Sequence, residues 1–267
     1  MAFTPKVVLI TGGSSGLGKA MCSRLAAMGH TVYGTARQVA DEPAGWTMLS
    51  MEVTDEASIA TAVKKVLERE GRIDVVVNNA GIGIQGPAED IDVATAMRAF
   101  DTNLFGLHRV CRAVLPGMRA QRSGLVINIS SIAANFGLPY RAFYSATKAA
   151  VNRYSEAMRI ELRPFGVHVV VVEPGEFKTN IAAARVRPAH VSEAYAKRYD
   201  KAMAILDGGL GYSRDPDELA QVVARVIGTP KPKTIYRVAQ CIQKFSVVLK
   251  KLLPGHRFER MLGKHYE

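Results

Sequence analysis

The sequence has few cysteines and no long apolar run, and both absences limit the kind of protein that it can encode. Its 267 residues include three cysteines, Cys22, Cys111 and Cys241, which lie too far apart for a metal site and are odd in number, unlike a disulfide framework. We therefore expect a reducing, cytoplasmic setting. No apolar run approaches the ~20 residues that span a bilayer, and the first residues do not resemble a secretory leader.

Recognisable ligand patterns are also missing, whereas positive charge is abundant. The six histidines follow no ligand spacing, so we predict no metal site. We find no nucleic-acid recognition motif and expect no nucleic-acid partner. The formal net charge is +11, and the segment from Lys231 to Glu267 contributes +7 of it, with nine basic against two acidic residues. A basic segment of this kind can bind nucleic acid, an anionic membrane surface or an acidic substrate, and it can also be a solvated face that helps solubility.

Short β-branched runs alternate with longer helical patterns along the chain. Most of the runs are almost continuously apolar, which is typical of parallel strands buried on both faces. The predicted strands are 6–11, 30–36, 46–53, 74–80, 124–130, 167–173 and 233–238, and the predicted helices lie near 16–28, 55–70, 92–120, 144–164, 191–206 and 215–228. This order predicts an α/β protein with a doubly wound Rossmann fold, a parallel sheet of about seven strands and helices on both faces. We assign residues 1–267 to one domain.

One long segment interrupts the alternation of strands and helices. Residues 176–212 follow the sixth strand, at the side of the sheet where doubly wound folds bind ligands, and we predict a substrate lid there. Its apolar and aromatic residues favour a substrate with apolar bulk; they are Phe177, Ile181, Tyr195, Tyr199, Met203 and Tyr212. We interpret Arg185 and Arg187 as solvent-facing rather than as contacts for an acidic substrate.

The C-terminal extension, residues 239–267, is basic and has apolar residues at helical spacing. The apolar positions are Ile242, Phe245, Val248, Leu249, Leu252 and Leu253. This pattern predicts one amphipathic basic helix. Three roles fit such a helix: it could cover the substrate pocket, pack on a partner subunit, or make a peripheral contact with a membrane surface.

A glycine-rich segment, TGGSSGLG, stands between the first predicted strand and the first helix. Its glycines have the spacing G-x-x-x-G-x-G, which lets the backbone approach a pyrophosphate at the positive end of the helix. The serines between them add hydroxyl donors. The predicted phosphate-binding residues are Gly12, Ser14, Ser15, Gly16, Leu17 and Gly18. The sequence therefore predicts a dinucleotide cofactor.

The end of the second strand lacks the acidic residue that would accept from a ribose 2′-hydroxyl and favour NAD. Thr35 and Ala36 stand at this position, and Arg37 follows them. A guanidinium can pair with a 2′-phosphate. NADP(H) is therefore the favoured cofactor, with NAD(H) as the alternative.

Tyr144 and Lys148 lie four residues apart and so share one face of a predicted helix. Reduction of a carbonyl places negative charge on oxygen, and a group must donate a proton there. A tyrosine pKa of about 10 is too high for ready exchange at neutral pH, and a neighbouring cation would lower it. Ser131 can hold the same oxygen as a neutral donor. A tyrosine and a lysine at this spacing are common on ordinary helices. A catalytic interpretation of Tyr144 and Lys148 therefore depends on the glycine segment and Ser131, and on Asn103, which is taken up below.

Several motifs occur in a fixed order: TGGSSGLG, NNAG, DTNLFG, INISS, YSATK and EPGEFKT. Together they resemble the short-chain dehydrogenase/reductase family over about residues 5–180. The resemblance implies a single Rossmann domain, hydride transfer between a nicotinamide and an alcohol or carbonyl, and a homodimer or homotetramer. It implies that Tyr144 is the catalytic acid/base, that Lys148 is its partner, that Ser131 binds the substrate oxygen, and that Asn103 holds a water relay near the lysine.

The same resemblance implies further cofactor contacts. Asn79, Ala80 and Gly81 would lie beside the adenosine half, and Pro174, Gly175 and Thr179 on the nicotinamide side. Glu52 stands where the family commonly has an aspartate that contacts the adenine, and Val53 beside it would line the adenine pocket.

The basic extension and the combination TGGSSGLG…VYGTAR resemble the hydroxysteroid and retinol dehydrogenase branch. We therefore predict an NADP(H)-dependent oxidoreductase that interconverts a hydroxyl and a carbonyl group on an apolar substrate, such as a steroid, retinoid or other lipid. The alternative is a dinucleotide-binding sensor or scaffold without turnover, which the fold alone permits. The complete set of Asn103, Ser131, Tyr144 and Lys148 argues against that alternative.

Overall fold

A parallel sheet of seven strands forms the centre of the protein in a computed structural model that describes residues 4–39, 45–178, 185–208 and 213–266. The strands are β1 Val7–Ile10, β2 Thr31–Ala36, β3 Thr47–Ser50, β4 Val75–Asn78, β5 Gly124–Ile129, β6 Val167–Pro174 and β7 Ile235–Val238. Their order in the sheet is β3-β2-β1-β4-β5-β6-β7, and every neighbouring pair is parallel. The predicted doubly wound fold is confirmed.

Helices cover both faces of this sheet. They are α1 Gly16–Ala27, α2 Glu56–Glu70, α3 Val93–Phe100, α4 Leu107–Ala120, α5 Ala142–Leu162, α6 Glu193–Gly208, α7 Pro216–Ile227, α8 Cys241–Leu252 and α9 Gly255–Tyr266. Alternate strand residues point to opposite faces. Leu9 therefore packs in the core beneath α2, α4 and α5, whereas Val8 and Ile10 pack in the core beneath α1 and α7.

The predicted helix at 92–120 is divided by a π-helical segment, Asp101–Gly106, between α3 and α4. A π-helical turn holds an extra residue, and such turns are frequent at functional sites. Asn103, a predicted site residue, lies within it and is 2% exposed. The segment therefore directs this side chain into the protein.

The C-terminal extension forms two helices: α8 carries most of the residues of the predicted amphipathic helix, and α9 follows it. The chain breaks at Leu253 and Pro254, because a proline disfavours helical geometry in the residue before it. Phe258 of α9 is buried, and its ring centroid lies 5.1 Å from that of Phe136. Tyr266, at the end of α9, packs in a small core with Tyr199 of α6. The extension is therefore folded onto the domain.

In the part of the chain that the structure describes, no helix is long and apolar enough to cross a membrane. The same residues contain no cluster of three or more histidine, cysteine or acidic side chains that could hold a metal ion.

Candidate active site

A cavity of about 490 Å³ lies at the carboxyl ends of β1, β4, β5 and β6. It begins beside β1, where the strand order reverses: β2 and β3 are added on one side of β1, and the chain then returns from β3 to place β4 on the other side. Doubly wound sheets bind their ligands in the crevice at this position. The glycine segment, the start of α5 and residues at the beginning of the predicted lid complete its walls.

Most of the predicted site residues share this cavity. Its walls include Gly12, Ser14, Ser15, Gly16, Leu17, Arg37, Glu52, Val53, Asn79, Ala80, Gly81, Ser131, Tyr144, Lys148, Pro174 and Gly175. Gly18 and Asn103 are not among the residues that line it. Thr179 lies outside the described residues. One site therefore unites the predicted cofactor residues with the predicted catalytic ones.

The glycine segment turns sharply between β1 and α1. Gly12 and Gly16 have φ angles of +69° and +51°, a region that favours glycine. A Cβ atom on Gly18 would lie 1.9 Å from the carbonyl oxygen of Gly12. Gly18 therefore lets α1 approach the loop closely.

Thr11 fixes this loop to the end of β4, and the sequence reasoning missed it. Its Oγ1 accepts from the backbone N–H groups of Asn79 and Ala80, at 2.9 and 2.8 Å. The Asn79 amide in turn donates to the carbonyl oxygen of Thr11 at 2.8 Å. The position between β1 and the first glycine is the signal that could have identified it.

The glycine-loop end of the cavity fits a dinucleotide. Ser15 occupies the N-cap position of α1, yet its side chain makes no capping hydrogen bond, which leaves its hydroxyl available to a phosphate. The Thr35 hydroxyl is buried and has no partner among the described residues. Arg37 is exposed at the edge of the same cavity. Glu52 accepts from the backbone N–H of Thr54 at 3.0 Å, so part of its carboxylate is used within its own turn.

Ser131 and Tyr144 meet at the other end of the cavity. Ser131 follows β5, and its Oγ accepts from the N–H of Ala133 at 3.1 Å. Burial raises the pKa of Tyr144 above its usual value, while a hydrogen bond with Ser131 and the positive charge of Arg141 act to lower it. The Tyr144 ring still keeps part of its surface open to the cavity. The phenol therefore stays protonated at neutral pH and can donate a proton.

Lys148 lies one helical turn beyond Tyr144 and is 6% exposed. Its Nζ donates to the carbonyl oxygen of Ile129 at 2.9 Å, and burial lowers its pKa to about 8. Nζ lies 5.9 Å from the centroid of the Tyr144 ring. We expected Lys148 to lower the pKa of Tyr144; in the structure, Arg141 and Arg185 are the cations that do so.

Asn103 lies behind the cavity wall. Its Nδ2 donates to the Ile82 carbonyl at 2.9 Å and to the Thr147 hydroxyl at 3.1 Å, and its Oδ1 accepts from the Ile82 N–H at 2.8 Å. The amide protons are thereby used within the protein. Asn103 fixes the backbone of Ile82, which lines the cavity, and its Nδ2 protons are not free to serve the predicted water relay.

A buried carboxylate, Glu173, connects several parts of the site. It lies near the end of β6 with no exposed surface. Its oxygens accept from Asn152 at 2.9 Å, from Asn135 at 3.1 Å and from Arg237 at 2.7 Å. Asn152 lies one turn after Lys148 on α5, and Asn135 ends the short turn that follows Ser131. Glu173 therefore positions both catalytic segments, a role that sequence reasoning missed.

Three further charged residues line the cavity near Tyr144. Arg141 donates to Glu176 at 3.1 Å, and Arg185 lies 3.8 Å from the other oxygen of Glu176. The interpretation of Arg185 as solvent-facing was wrong, because its side chain is 11% exposed and donates to Gln85. Arg187 is exposed, as expected. No local pattern marks Arg141 or Glu176, since their pairing depends on the path of the chain after β6.

The predicted lid contributes less apolar surface to the cavity than expected. Phe177 is buried and lines it. Tyr199 and Met203 instead pack in the small core with Tyr266. The Tyr195 hydroxyl donates to Glu89 at 3.2 Å. Ile181 and Tyr212 lie outside the described residues.

Comparisons with known proteins agree with this arrangement. The profile of the short chain dehydrogenase family matches residues 6–189. A 3-ketodihydrosphingosine reductase from Bacteroides thetaiotaomicron is 36% identical over 264 residues, which cover 98% of each chain. Retinol dehydrogenase 8 from Bos taurus is 31% identical over 254 residues, which cover 87% of this chain and 81% of the relative.

Solved structures give the same result. A short-chain dehydrogenase from Streptomyces avermitilis has a TM-score of 0.82 and 34% identity, over 93% of this chain and 94% of that chain. The predicted resemblance to the family, and to its retinol dehydrogenase branch, is confirmed. The protein therefore belongs to the short-chain dehydrogenase/reductase family and is an NAD(P)-dependent dehydrogenase or reductase.

Proposed function

We propose that the protein is an NADP(H)-dependent reductase of a ketone on a lipid-like substrate, with Tyr144 as the proton donor. The observation that carries the proposal is the presence of Ser131, Tyr144 and Lys148 at one end of the cavity whose other end is the glycine segment. The full-length similarity to a 3-ketodihydrosphingosine reductase supports a long-chain ketone as substrate.

Each residue has a distinct chemical task in this proposal. A bound nicotinamide supplies or accepts the hydride. Ser131 donates a hydrogen bond to the substrate oxygen and stabilises the charge that develops there. Tyr144 donates a proton to the same oxygen. Arg141 and Arg185 favour the tyrosinate that remains. Lys148, with a pKa of about 8, carries a positive charge at neutral pH and would hold the nicotinamide ribose.

The environment of Tyr144 favours reduction over oxidation. Reduction needs a neutral phenol that can donate, whereas oxidation needs a tyrosinate that can accept a proton. Because burial raises the pKa of Tyr144, the neutral form predominates at neutral pH. We therefore propose that carbonyl reduction is the favoured direction.

The choice of NADP(H) depends on Arg37 and on the lack of an acid at the end of β2. Arg37 is exposed at the rim of the cavity and forms no ion pair with the described residues, so its guanidinium is available for a 2′-phosphate. Arg37→Ala should weaken NADPH binding more than NADH binding in a fluorescence titration. Equal losses for the two cofactors would contradict this choice and leave NAD(H) as the alternative.

The catalytic proposal can be tested with a panel of carbonyl substrates. Oxidation of NADPH should accompany reduction of 3-ketodihydrosphingosine, retinal or a steroid ketone, and Tyr144→Phe should lower the rate by about 100-fold or more. Tyr154→Phe is the matched control, since Tyr154 lies on the same helix but bonds to His108 outside the cavity walls. Equal turnover by wild type and Tyr144→Phe would refute the assigned role.

A sensor or scaffold without turnover is the alternative function. It would bind NADPH and reduce no ketone on the panel. We also propose a cytoplasmic homo-oligomer, since members of the family typically oligomerise. Light scattering would measure its mass.

A further inference from the structure

Four large apolar side chains form an exposed row on α8. Ile242, Phe245, Val248 and Leu252 are 65%, 56%, 50% and 74% exposed. At 3.6 residues per turn, their spacing places them within about 120° of the helix circumference. They therefore form one continuous face that the described part of the domain leaves uncovered.

The opposite face of α8 is packed on the domain. Val247 is 2% exposed and lies in a core with Ile132 and Ala239. The Gln243 side chain lies beside Gly175, where an added Cβ atom would stand 2.1 Å from Oε1. These contacts fix the orientation of α8 and direct the apolar row outwards.

The helices α8 and α9 carry an excess of positive charge. Residues 241–266 contain six lysines and arginines and one acid, Glu259, which lies 3.9 Å from Lys250. Lys244 and Lys251 of α8 are exposed beside the row. On α9, exposed cations follow one another at intervals of three and four residues; they are Arg257, Arg260 and Lys264. The exposed apolar residues are thus accompanied by cations that have few acidic neighbours.

We propose that α8 and α9 dock the protein on an anionic lipid bilayer, with the apolar row of α8 inserted at the headgroup level and the cations in contact with lipid phosphates. An amphipathic helix with large apolar residues and flanking cations lies in the interface plane of such a membrane. Anionic lipids attract clustered lysine and arginine through charge. The charge of the extension therefore selects this partner over a neutral apolar surface.

An exposed apolar residue elsewhere on the surface lacks this charge pattern. Ile160 on α5 is 74% exposed, as Leu252 is, but it stands between Arg159 and Glu161. An anionic surface would attract one of these neighbours and repel the other. Ile160 thus provides a control position of equal exposure and different charge.

The packed face of α8 adjoins the cavity. Gly175, which contacts Gln243 of α8, lines the cavity itself. A docked α8 would therefore bring the site next to the bilayer, where an apolar ketone dissolves. This consequence depends on the proposed function, whereas membrane docking itself does not.

The test uses the full chain without cofactor or substrate and measures cosedimentation with vesicles. Vesicles of phosphatidylcholine and phosphatidylglycerol should bind the protein at least about tenfold more strongly than vesicles of phosphatidylcholine alone, and high salt should reduce the difference. The double variant Phe245→Ser/Leu252→Ser should weaken binding by at least about tenfold. Ile160→Ser should bind like the wild type.

A fluorescent label provides a second measurement. Cys241 is exposed at the start of α8, whereas burial raises the pKa of Cys22 and Cys111 to about 12 and keeps both thiols unreactive. A polarity-sensitive fluorophore therefore reacts at Cys241. Its emission should shift to the blue with anionic vesicles and not with neutral ones.

Three outcomes would overturn the proposal. The first is no binding to anionic vesicles. The second is equal binding by the wild type and by Phe245→Ser/Leu252→Ser. The third is a change in the mass of that variant by light scattering with unchanged vesicle binding, which would assign the face to a second copy of the chain. Because no turnover is measured, failure of the proposed reductase activity would leave these results unaffected.

Discussion

Glu173 is the residue whose replacement should reveal how the site is held together. Its carboxylate has no exposed surface, and it accepts hydrogen bonds from Asn135, Asn152 and Arg237. These donors come from the turn after Ser131, from α5 and from β7. Glu173→Gln preserves the size of the side chain and removes its charge, so that an amide N–H group must face other donors.

The expected loss of stability can be worked out from the burial of the pair. Removing one partner of a buried ion pair costs about 3–5 kcal/mol. Two features favour the lower end of that range: the Arg237 side chain is 31% exposed to water, and Asn152 can rotate its amide, since its Oδ1 has no partner among the described residues. We therefore expect a loss of about 3 kcal/mol, which corresponds to a fall in Tm of about 6–12 °C.

Urea denaturation followed by circular dichroism measures this loss. The matched control is Glu56→Gln, which removes the ion pair between Glu56 and Arg112. The two atoms of that pair lie 3.0 Å apart, similar to the 2.7 Å between Glu173 and Arg237, but its side chains are 65% and 62% exposed. An exposed pair contributes at most about 1 kcal/mol. Equal losses for the two variants would refute the argument that the burial of Glu173 determines its contribution.

Three further predictions concern other parts of the site. Burial lowers the pKa of Lys148 from 10.5 to about 8, so between these two pH values the unfolded chain binds one proton more than the folded chain. The free energy of unfolding of the wild type should therefore rise by about 3 kcal/mol relative to that of Lys148→Met as the pH rises through this window. Urea denaturation at pH values near 8 and 10.5 measures the difference between the two proteins, and an equal difference at both values would contradict the prediction. Gly18→Ala should lower NADPH affinity by about tenfold or more in a fluorescence titration, because its Cβ would meet the Gly12 carbonyl, whereas Gly137→Ala, with open space around the new atom, should not. Asn103→Leu should cost about 2–3 kcal/mol in urea denaturation, because it leaves both backbone polar groups of Ile82 without partners; an unchanged midpoint would count against that.

The parts of the fold that sequence could predict are those that local patterns determine. The run of valines in β6 is almost fully buried, and a strand buried on both faces needs such a run. Gly12 and Gly16 could be identified because a turn this sharp needs positive φ angles, and glycine is the residue that adopts them most readily. Tyr144 and Lys148 could be paired because the helix repeat fixes their relation.

The features that sequence could not predict depend on contacts between distant segments. The segment Asp101–Gly106 contains no proline, and its π-helical form accompanies the hydrogen bonds of Asn103 with Ile82, 21 residues away. Arg185 was interpreted as solvent-facing because a charge in a polar segment usually is. Its contacts with Glu176 and Gln85 require the chain to return to the cavity after β6, which no local pattern indicates.

The electrostatics of Tyr144 connect the predicted lid to the proposed reaction. Helix spacing alone assigned the control of its pKa to Lys148, whereas burial dominates in the structure, and Glu176 raises the pKa while Arg185 lowers it less. Both of these residues belong to the segment after β6. Burial and the charge of Glu176 therefore favour the protonated form of Tyr144, which is the form that carbonyl reduction requires.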